Sequence, residues 1–373
     1  MSKRIRIVLL SVVCALLLSI TSCGERGVAV RAVDGVLGGY QWTLRMQLVK
    51  GAGTTEFRIM QEMAENLLVA SGGRLNLEVH PLGTFASSME LFPAAIHGVV
   101  DIAANYGTWL RAIDNGLHVI TTGNMQMDPI AKRIWLNEFG GYGYAEYLFD
   151  KAGLVFLAFH TDGTEVLHTH QRFDTVRDMA GSIFRSSDPR LVNQFGITGI
   201  TVPLEEIFTT FQTGAVDIVE YGHLDINTAL GFTELGNYAS WPDFWNVHNS
   251  IAIVMNRDSY NSLPEDLRAL LRMAFRGSDM RHFTATQFAS AQTMQRLQAA
   301  GTVYFYRFGY PEEFAEMARI QRNIVNAADI ATHGGMTAHL YQSQDDFMRI
   351  WLPYREISRW WGEGLTFEQV MGF

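Results

Sequence analysis

Apolar and polar positions alternate along the first third of the chain in a pattern that predicts strands and helices in turn. The stretch YQWTLRMQLV is rich in β-branched and aromatic residues, which is typical of a strand. Residues 54–70 carry apolar residues at helical spacing, and SGGR at 71–74 has the glycines of a helix end. LNLEVHP, SMELFPAAIHGV and VDIAANY then predict a strand, a short helix and a strand. This β-α-β-α-β order favours a parallel sheet covered on both faces.

The same alternation returns in the middle of the chain. Strands are predicted for GLVFLAFH, SIFR, ITVP and AVDIVEY, and helices for PRLVNQFG and LEEIFTTFQTG. NSIAIVMNRDSYNSLP predicts a long strand followed by a turn. The tail differs, because residues 264–299, 311–331 and 336–362 all have helical patterns. We therefore expect an α/β fold of two lobes with a cleft between them, long helices and a C-terminal helical extension.

The N-terminus has the pattern of a bacterial export signal. Lys3, Arg4 and Arg6 precede a short apolar core, which is too short for an ordinary membrane span. The sequence ITSC that ends at Cys23 resembles the lipobox of bacterial lipoproteins, in which the cysteine is acylated and becomes the mature N-terminus. The alternative is that Cys23 only lies near an ordinary cleavage site. We predict a periplasmic protein that is anchored to a membrane through lipidated Cys23.

The patterns also divide the chain into segments. The expected organisation is a signal peptide at 1–22, a tether at 23–39, a first lobe from 40–157 with about 249–290, a second lobe from 158–248 with about 291–340, and a C-terminal helical extension at 341–373.

Composition narrows the classes of partner. The whole chain has a net charge of −9, and removal of the signal leaves 26 basic and 38 acidic residues, or −12. This balance disfavours nucleic acid and anionic lipid surfaces as partners. The chain has two cysteines, Cys14 and Cys23, so the mature chain can form no internal disulfide, and the lack of a CxxC pair argues against structural zinc. There is no GxSxG, HExxH or P-loop motif either, which lowers the case for an enzyme.

Several polar side chains close predicted strands. Tyr106, Arg185, Glu220 and Tyr221 each follow or end an apolar run. In open α/β sheets, ligands bind beyond the carboxyl ends of the strands, so we expect these four residues near one region. Arg185 can grip a carboxylate with two parallel hydrogen bonds, or it can form a salt bridge between the lobes.

Glu220 also has two interpretations. A buried carboxylate must be paired or must coordinate a cation. With Asn246 and the carbonyl of Tyr221, it could form an oxygen-rich site for a hard cation. Alternatively, it is a structural carboxylate that accepts hydrogen bonds from backbone amides.

The chain resembles the solute-binding proteins of tripartite ATP-independent periplasmic (TRAP) transporters from about residue 43 to 358. SGGRLNLEVHPLGTF, ELFPAAIHGVVDIAANY and VPLEEIFTTFQTGAVDIVEYGHLDINTALGF are similar to segments of that family. DTVRDMAGSIFR is similar to another, and it places Arg185 on the arginine that pairs with the ligand carboxylate. The resemblance implies a two-lobed periplasmic binding protein that closes around a small organic acid and docks on a small and a large membrane subunit.

The resemblance extends to members that bind 2-oxo or 2-hydroxy monocarboxylates. Those members often hold the ligand through a bound cation such as Na or Ca, and dimerise through the long terminal helix. By this resemblance Glu220, the Tyr221 carbonyl and Asn246 occupy the cation-ligand positions, although tyrosine replaces the usual tryptophan and Asn246 replaces a longer side chain. Because Tyr106 and Trp109 come at the end of a predicted strand of the first lobe, we expect them to line the opposite wall of the cleft. In the segment DGTEVLH the candidate ligand-binding residues are Thr164 and Glu165. Glu165 is a departure, since many members have arginine or glutamine in that segment.

Two other classes of function stay open at this level. An exported enzyme could use Glu220 as a base and Arg185 as an anchor for a small carboxylate. A ligand sensor that feeds a signalling partner would need the same cleft. Turnover of a candidate acid would identify the first class, and genes for two membrane transport subunits beside this one would count against the second.

Overall fold

The computed structural model describes residues 42–122, 127–241, 248–307 and 311–358. The predicted signal peptide, the tether, Cys23 and Asn246 all lie outside these ranges. Among the described residues, no helix combines the length and the apolar character that a membrane crossing would need.

The described strands form two separate sheets. In chain order they are β1 (Trp42–Leu48), β2 (Leu75–His80), β3 (Ile102–Asn105), β4 (Leu154–Thr161), β5 (Leu167–Thr169), β6 (Ile183–Arg185), β7 (Thr198–Ile200), β8 (Ile218–Val219), β9 (Tyr238–Trp241), β10 (Ser250–Asn256) and β11 (Tyr304–Arg307). The first sheet has the order β2-β1-β3-β10-β4, and the second has the order β11-β9-β5-β8-β6-β7. The α/β fold class with two sheets is thereby confirmed.

Helices cover both sheets. The described α-helices are α1 (Thr55–Ala70), α2 (Leu91–Ile96), α3 (Asn115–Thr121), α4 (Pro129–Glu138), α5 (Gly141–Lys151), α6 (Ile207–Gln212), α7 (Leu224–Ala229), α8 (Phe232–Leu235), α9 (Arg257–Ser262), α10 (Glu265–Ala300), α11 (Pro311–Ile320), α12 (Ala327–His333) and α13 (Gly335–Ser358). A π-helical stretch, Gln321–Asn326, joins α11 to α12. The long helices expected in the tail are confirmed. Thr54 caps α1, since its side chain accepts a hydrogen bond from the amide of Phe57.

The expectation of a parallel sheet is confirmed for β1, β2 and β3, from which it was made, but neither complete sheet is parallel throughout. In the first sheet β1 runs parallel to β2 and β3, but β10 is inserted antiparallel between β3 and β4. In the second sheet β5 is antiparallel to both β8 and β9. The first sheet is mixed because β10, from a distant part of the chain, enters it in the opposite direction, and the second is mixed because its first strand, β5, runs opposite to both of its neighbours. All seven residues of β10 are buried, as expected for a central strand that is covered on both faces.

Two further expectations about elements were incomplete. The turn predicted after the long strand is the helix Arg257–Ser262, which begins because the Asn256 side chain accepts hydrogen bonds from the amides of Asp258 and Ser259. The helices α3, α4 and α5 were not predicted. They pack their apolar residues, among them Trp135 and Phe149, on one face of the first sheet.

We call the first sheet and the helices packed on it the first half, and the second sheet and its helices the second half. Helix α10 connects them. It has 36 residues, which corresponds to about 54 Å, and it packs on β4 and α1 of the first half and on α7 of the second. Its buried polar residues include His282 and Ser290, which face the region between the two sheets.

Candidate ligand-binding site

Strand ends position the candidate ligand-binding residues. Arg185 is the last residue of β6, Glu220 directly follows β8, and these two strands are parallel neighbours. Their carboxyl ends therefore meet at one edge of the second sheet. Tyr106 follows β3 in the first half. The charged and phenolic groups that act on the pKa of Arg185 are those of Glu220, Tyr221, Glu165 and Tyr106, so all five residues converge.

Arg185 is buried, with 2% of its surface exposed. Its Nη1 donates to the backbone carbonyl of Glu220 at 2.8 Å and lies 3.9 Å from Oε1 of the same residue. Nη2 donates to the carbonyl of Val202 at 3.4 Å. The Nε atom is buried and has no hydrogen-bond partner among the described residues. Burial lowers the pKa of the guanidinium, and the carboxylate of Glu220 acts against that shift.

Glu220 is 1% exposed and is held from its own half of the molecule. Its Oε1 accepts a hydrogen bond from the amide of Ser187 at 2.7 Å and one from the Ser186 hydroxyl at 3.3 Å. The structural interpretation of this carboxylate is thus correct in part, since a backbone amide fixes its orientation. The same contacts aim the carboxylate at Arg185, so they do not exclude a role in binding.

The remaining predicted site residues differ in their surroundings. Glu165 is fully buried and accepts a hydrogen bond from Asn249 at 2.6 Å. Trp109 lies in a 3₁₀ turn after Tyr106 and is half-buried, packed against the core of the first half with its Nε1 unpartnered among the described residues. Thr164 is half-buried, and none of its described contacts joins it to Arg185. Asn246 lies outside the described residues, so its cation-ligand position stays a prediction.

A second buried ionic group lies beside this site, and the sequence argument missed it. Lys50 lies two residues after the end of β1, and its Nζ donates to the Tyr106 hydroxyl at 2.9 Å and to Asp162 at 3.3 Å. Glu56 lies 3.6 Å from the same ammonium. The ammonium also stands 5.5 Å from the ring centres of both Tyr106 and Tyr221. These two aromatic rings, one from each half, therefore share one cation.

Two histidines complete this group. His282 of α10 contacts Asp162 at 2.9 Å, and His223, which caps α7, contacts Glu56 at 2.9 Å. We call Lys50, Glu56, Asp162, His223 and His282 the ionic cluster. Each is 2% exposed or less. Lys50 and Asp162 could have been predicted from the sequence, because each comes after a strand just as Tyr106 and Glu220 do. The histidines had no local signal, since only the packing of α7 and α10 brings them to the carboxylates.

The contacts within the cluster determine the charge of its two carboxylates and of its ammonium. Burial would raise the pKa of Glu56, but the charges of His223 and Lys50 outweigh it and bring the pKa to about 2. Burial would likewise raise the pKa of Asp162, yet Lys50 and the hydrogen bond to His282 hold it well below its usual range. Burial would lower the pKa of Lys50, and Asp162 together with its neighbours raises it above its usual value. Both carboxylates and the ammonium are therefore ionised at neutral pH.

The ionic cluster does not require a metal. Single ligand atoms of Glu56, Asp162 and His223 lie within 4.8 Å of one another, which is close enough to hold an ion. However, the Lys50 ammonium already stands 3.3 Å and 3.6 Å from the two carboxylates. It supplies the positive charge that a metal would bring.

The fit of a cation at the predicted position can be tested on the donors at Arg185. Glu220 and Glu165 offer carboxylate oxygens, which are the hard donors that Na and Ca prefer. A bound monocarboxylate would add a further pair of carboxylate oxygens beside the single Arg185 guanidinium. The donor set thus fits a cation beside a carboxylate ligand.

The geometry can now be compared with known proteins. The profile of the family described as "Bacterial extracellular solute-binding protein, family 7" (DctP) matches residues 47–328. A curated protein of Nostoc sp. strain PCC 7120, named a monocarboxylate 2-oxoacid-binding periplasmic protein, is 17% identical over 287 residues, which cover 76% of this chain and 78% of that protein.

Solved structures have the same fold. A TRAP transporter solute-binding protein from Bordetella bronchiseptica, described with copurified calcium and picolinate, aligns with a TM-score of 0.79 at 16% identity and covers 86% of this chain and 96% of its own. One from Pseudoalteromonas atlantica, described with bound sodium and pyruvate, aligns with a TM-score of 0.77 at 17% identity and covers 88% and 100%. The profile spans well over half of the sequence, so the chain belongs to the DctP family of TRAP solute-binding proteins.

Proposed function

We propose that this protein captures a small monocarboxylate with a 2-oxo or 2-hydroxy group, together with a Na or Ca ion, for a TRAP transporter. The observation that carries this proposal is the buried Arg185, whose Nε has no partner among the described residues and whose guanidinium adjoins Glu220. A carboxylate there would gain charge-assisted hydrogen bonds out of contact with water. The ligand names printed for the similar proteins support the same class of molecule.

Capture would proceed by closure of the cleft. In this proposal the lobes expected from the sequence, 40–157 with 249–290 and 158–248 with 291–340, correspond to the two halves. Arg185 and Glu220 contribute from the second half, while Tyr106 and Trp109 line the first. Ligand contacts from both halves favour the closed state over the open one. The closed form then docks on the small and large membrane subunits.

Three assignments complete the proposal. Cys23 anchors the protein to a membrane on the periplasmic side, as the ITSC sequence indicates. Glu220, the Tyr221 carbonyl and Asn246 hold the cation, with Glu165 close to them. A homodimer forms through the C-terminal helix α13, whose exposed Ile350, Leu352 and Tyr354 leave apolar surface uncovered in the single chain.

Incubation with a panel of acids tests the class of ligand. We expect pyruvate, lactate or 2-oxobutyrate to raise the melting temperature, and mass spectrometry to find an acid of this class that copurifies. Exhaustive chelation followed by dialysis against sodium-free buffer should weaken binding by roughly tenfold or more, because the cation would bridge the oxygens of the ligand and those of the protein. Unchanged affinity after this treatment would remove the cation from the proposal, and turnover of any acid would favour an enzyme.

A further inference from the structure

Two residues of the ionic cluster, Glu56 and His223, form a contact that connects the two halves. Glu56 belongs to α1, which packs on β2 and α10 in the first half. His223 precedes α7 in the second half. The His223 Nε2 lies 2.9 Å from Glu56 Oε1, and the two side chains are 0% and 2% exposed. Beside them, the Thr55 hydroxyl donates to Asp225 at 2.7 Å. This contact therefore lies between the halves, out of water.

Each partner keeps other contacts within reach when this hydrogen bond is removed. Glu56 still has Lys50 at 3.6 Å, and Lys50 is shared with Asp162 on the same side. The other ring nitrogen of His223, Nδ1, lies 3.2 Å from the Ser290 hydroxyl. A buried charge that loses its only partner is strongly destabilised. Neither Glu56 nor His223 is left without any contact when this hydrogen bond opens, although Glu56 Oε2 has no hydrogen-bond partner among the described residues. Since these contacts remain, the pair can break and re-form.

The pair also reaches the proposed ligand site directly. His223 comes three residues after Glu220 and two after Tyr221, in one short connection between β8 and α7. Tyr221 also faces the Lys50 ammonium at 5.5 Å. Contacts at His223 and Tyr221 thus hold the Glu220 backbone against the first half. The carbonyl of Glu220 in turn accepts a hydrogen bond from Arg185.

We propose that Glu56 and His223 form a reversible latch between the halves, which forms on closure and slows release of the bound acid. Both are positioning residues, because they act through the Glu220–Tyr221 segment and touch no ligand themselves. The inference rests on the proposed function, since it assigns part of the closure mechanism of that same site.

A double-mutant cycle tests the latch. The full chain is prepared unaltered, as Glu56→Gln, as His223→Gln and as the double variant, and two quantities are measured on each. The first is the dissociation rate of whichever of pyruvate, lactate or 2-oxobutyrate binds the unaltered protein. The second is the free energy of unfolding without ligand. We expect each single variant to release the acid roughly tenfold faster, which corresponds to about 1.4 kcal/mol, and the double variant to be no faster than the singles.

The control is a second cycle on the same helix α1. Glu62 contacts Arg281 at 3.4 Å within the first half, so Glu62→Gln and Arg281→Gln remove an exposed ion pair of the same helix that does not connect the halves. We expect this cycle to leave the release rate unchanged.

The outcomes separate the two proposals. Coupling between Glu56 and His223 in release but not in ligand-free unfolding supports the latch. Equal coupling in the release rate and in ligand-free unfolding would mean that the pair is a static contact. An absence of coupling in the release rate would mean that the pair does not slow release. Either result overturns the latch but leaves the proposed function standing. If no acid of the panel binds the unaltered protein, the proposed function is overturned and the latch with it.

Discussion

Arg185 with Glu220 and Lys50 with its carboxylates are two buried ionic groups at strand ends, yet they use their hydrogen bonds differently. The Lys50 ammonium has Tyr106, Asp162 and Glu56 around it, all within 3.6 Å. The Arg185 guanidinium has two backbone carbonyls and one carboxylate oxygen at 3.9 Å, and its Nε has no described partner.

The difference teaches how a binding cation can be distinguished from a structural one. Burying an ion is costly unless other groups replace its water. Around the Lys50 ammonium that replacement is complete, so this cation stabilises the fold. At Arg185 hydrogen-bonding capacity is left over inside the protein, which is the property that a carboxylate ligand would use.

Lys50→Met should have the largest effect, and it should fall on stability. The change leaves Glu56 and Asp162 buried without the cation between them, so we expect the free energy of unfolding to drop by about 3–5 kcal/mol. Urea unfolding measures it. Adding Asp162→Asn to the Lys50→Met variant should recover part of the loss, because one of the uncompensated charges is removed. A double variant that is less stable than Lys50→Met would contradict the pairing.

Arg185→Ala should affect binding rather than stability. We expect the affinity for a monocarboxylate to fall by about 2–5 kcal/mol, because the buried charged hydrogen bonds to the ligand are lost. Calorimetric titration of the variant with the acids that bind the unaltered protein measures this. A variant that still gains the full thermal stabilisation from these acids would show that Arg185 is not the anchor. The matched comparison is the affinity of Lys50→Met for the same acids, measured at a low temperature at which this variant remains folded.

Lys132 sharpens the comparison, because it is a buried lysine without a carboxylate partner among the described residues. Within the described part of the chain its Nζ donates to the carbonyl of Thr122, at 3.2 Å, and burial lowers its pKa to about 7. The unfolded chain therefore binds the proton more tightly than the folded one between pH 7 and about 10.5, and stability should rise with pH in this window. The expected slope is up to about 1.4 kcal/mol per pH unit.

The variant Lys132→Met isolates this contribution. Unfolding free energies of both proteins are measured at pH 7, 8 and 9, and the difference between them should shrink or change sign as the pH rises. Equal slopes would mean that Lys132 keeps its proton throughout. At pH 7 the variant should be at least as stable as the unaltered protein, in contrast to Lys50→Met.

The sequence predicted one group better than the other. Polar residues after apolar runs pointed to Tyr106, Arg185, Glu220 and Tyr221, because a strand end is a local feature. The same reasoning applied to Lys50 and Asp162 would have found two of the five members of the ionic cluster. Its histidines depend on where α7 and α10 pack, which no short pattern contains.

Strand direction was similarly beyond the local pattern. The alternation of strands and helices indicated the elements of the first sheet but not that β10 enters it antiparallel, since direction depends on the path of the intervening second half. Helix α9 was within reach, because Asn256 followed by Asp258 and Ser259 is a helix start.

The position of β10 has a consequence for the order of assembly. It separates β3 from β4, although about 150 residues lie between β3 and β10 along the chain. The first sheet therefore cannot be completed until synthesis has passed residue 256, by which point the strands β5–β9 of the second sheet already exist. Pairings of such long sequence separation are slow to form. The chain should accordingly stay unfolded for longer than a protein of consecutive βα units, and a fragment that ends before β10 should fail to form a stable first half.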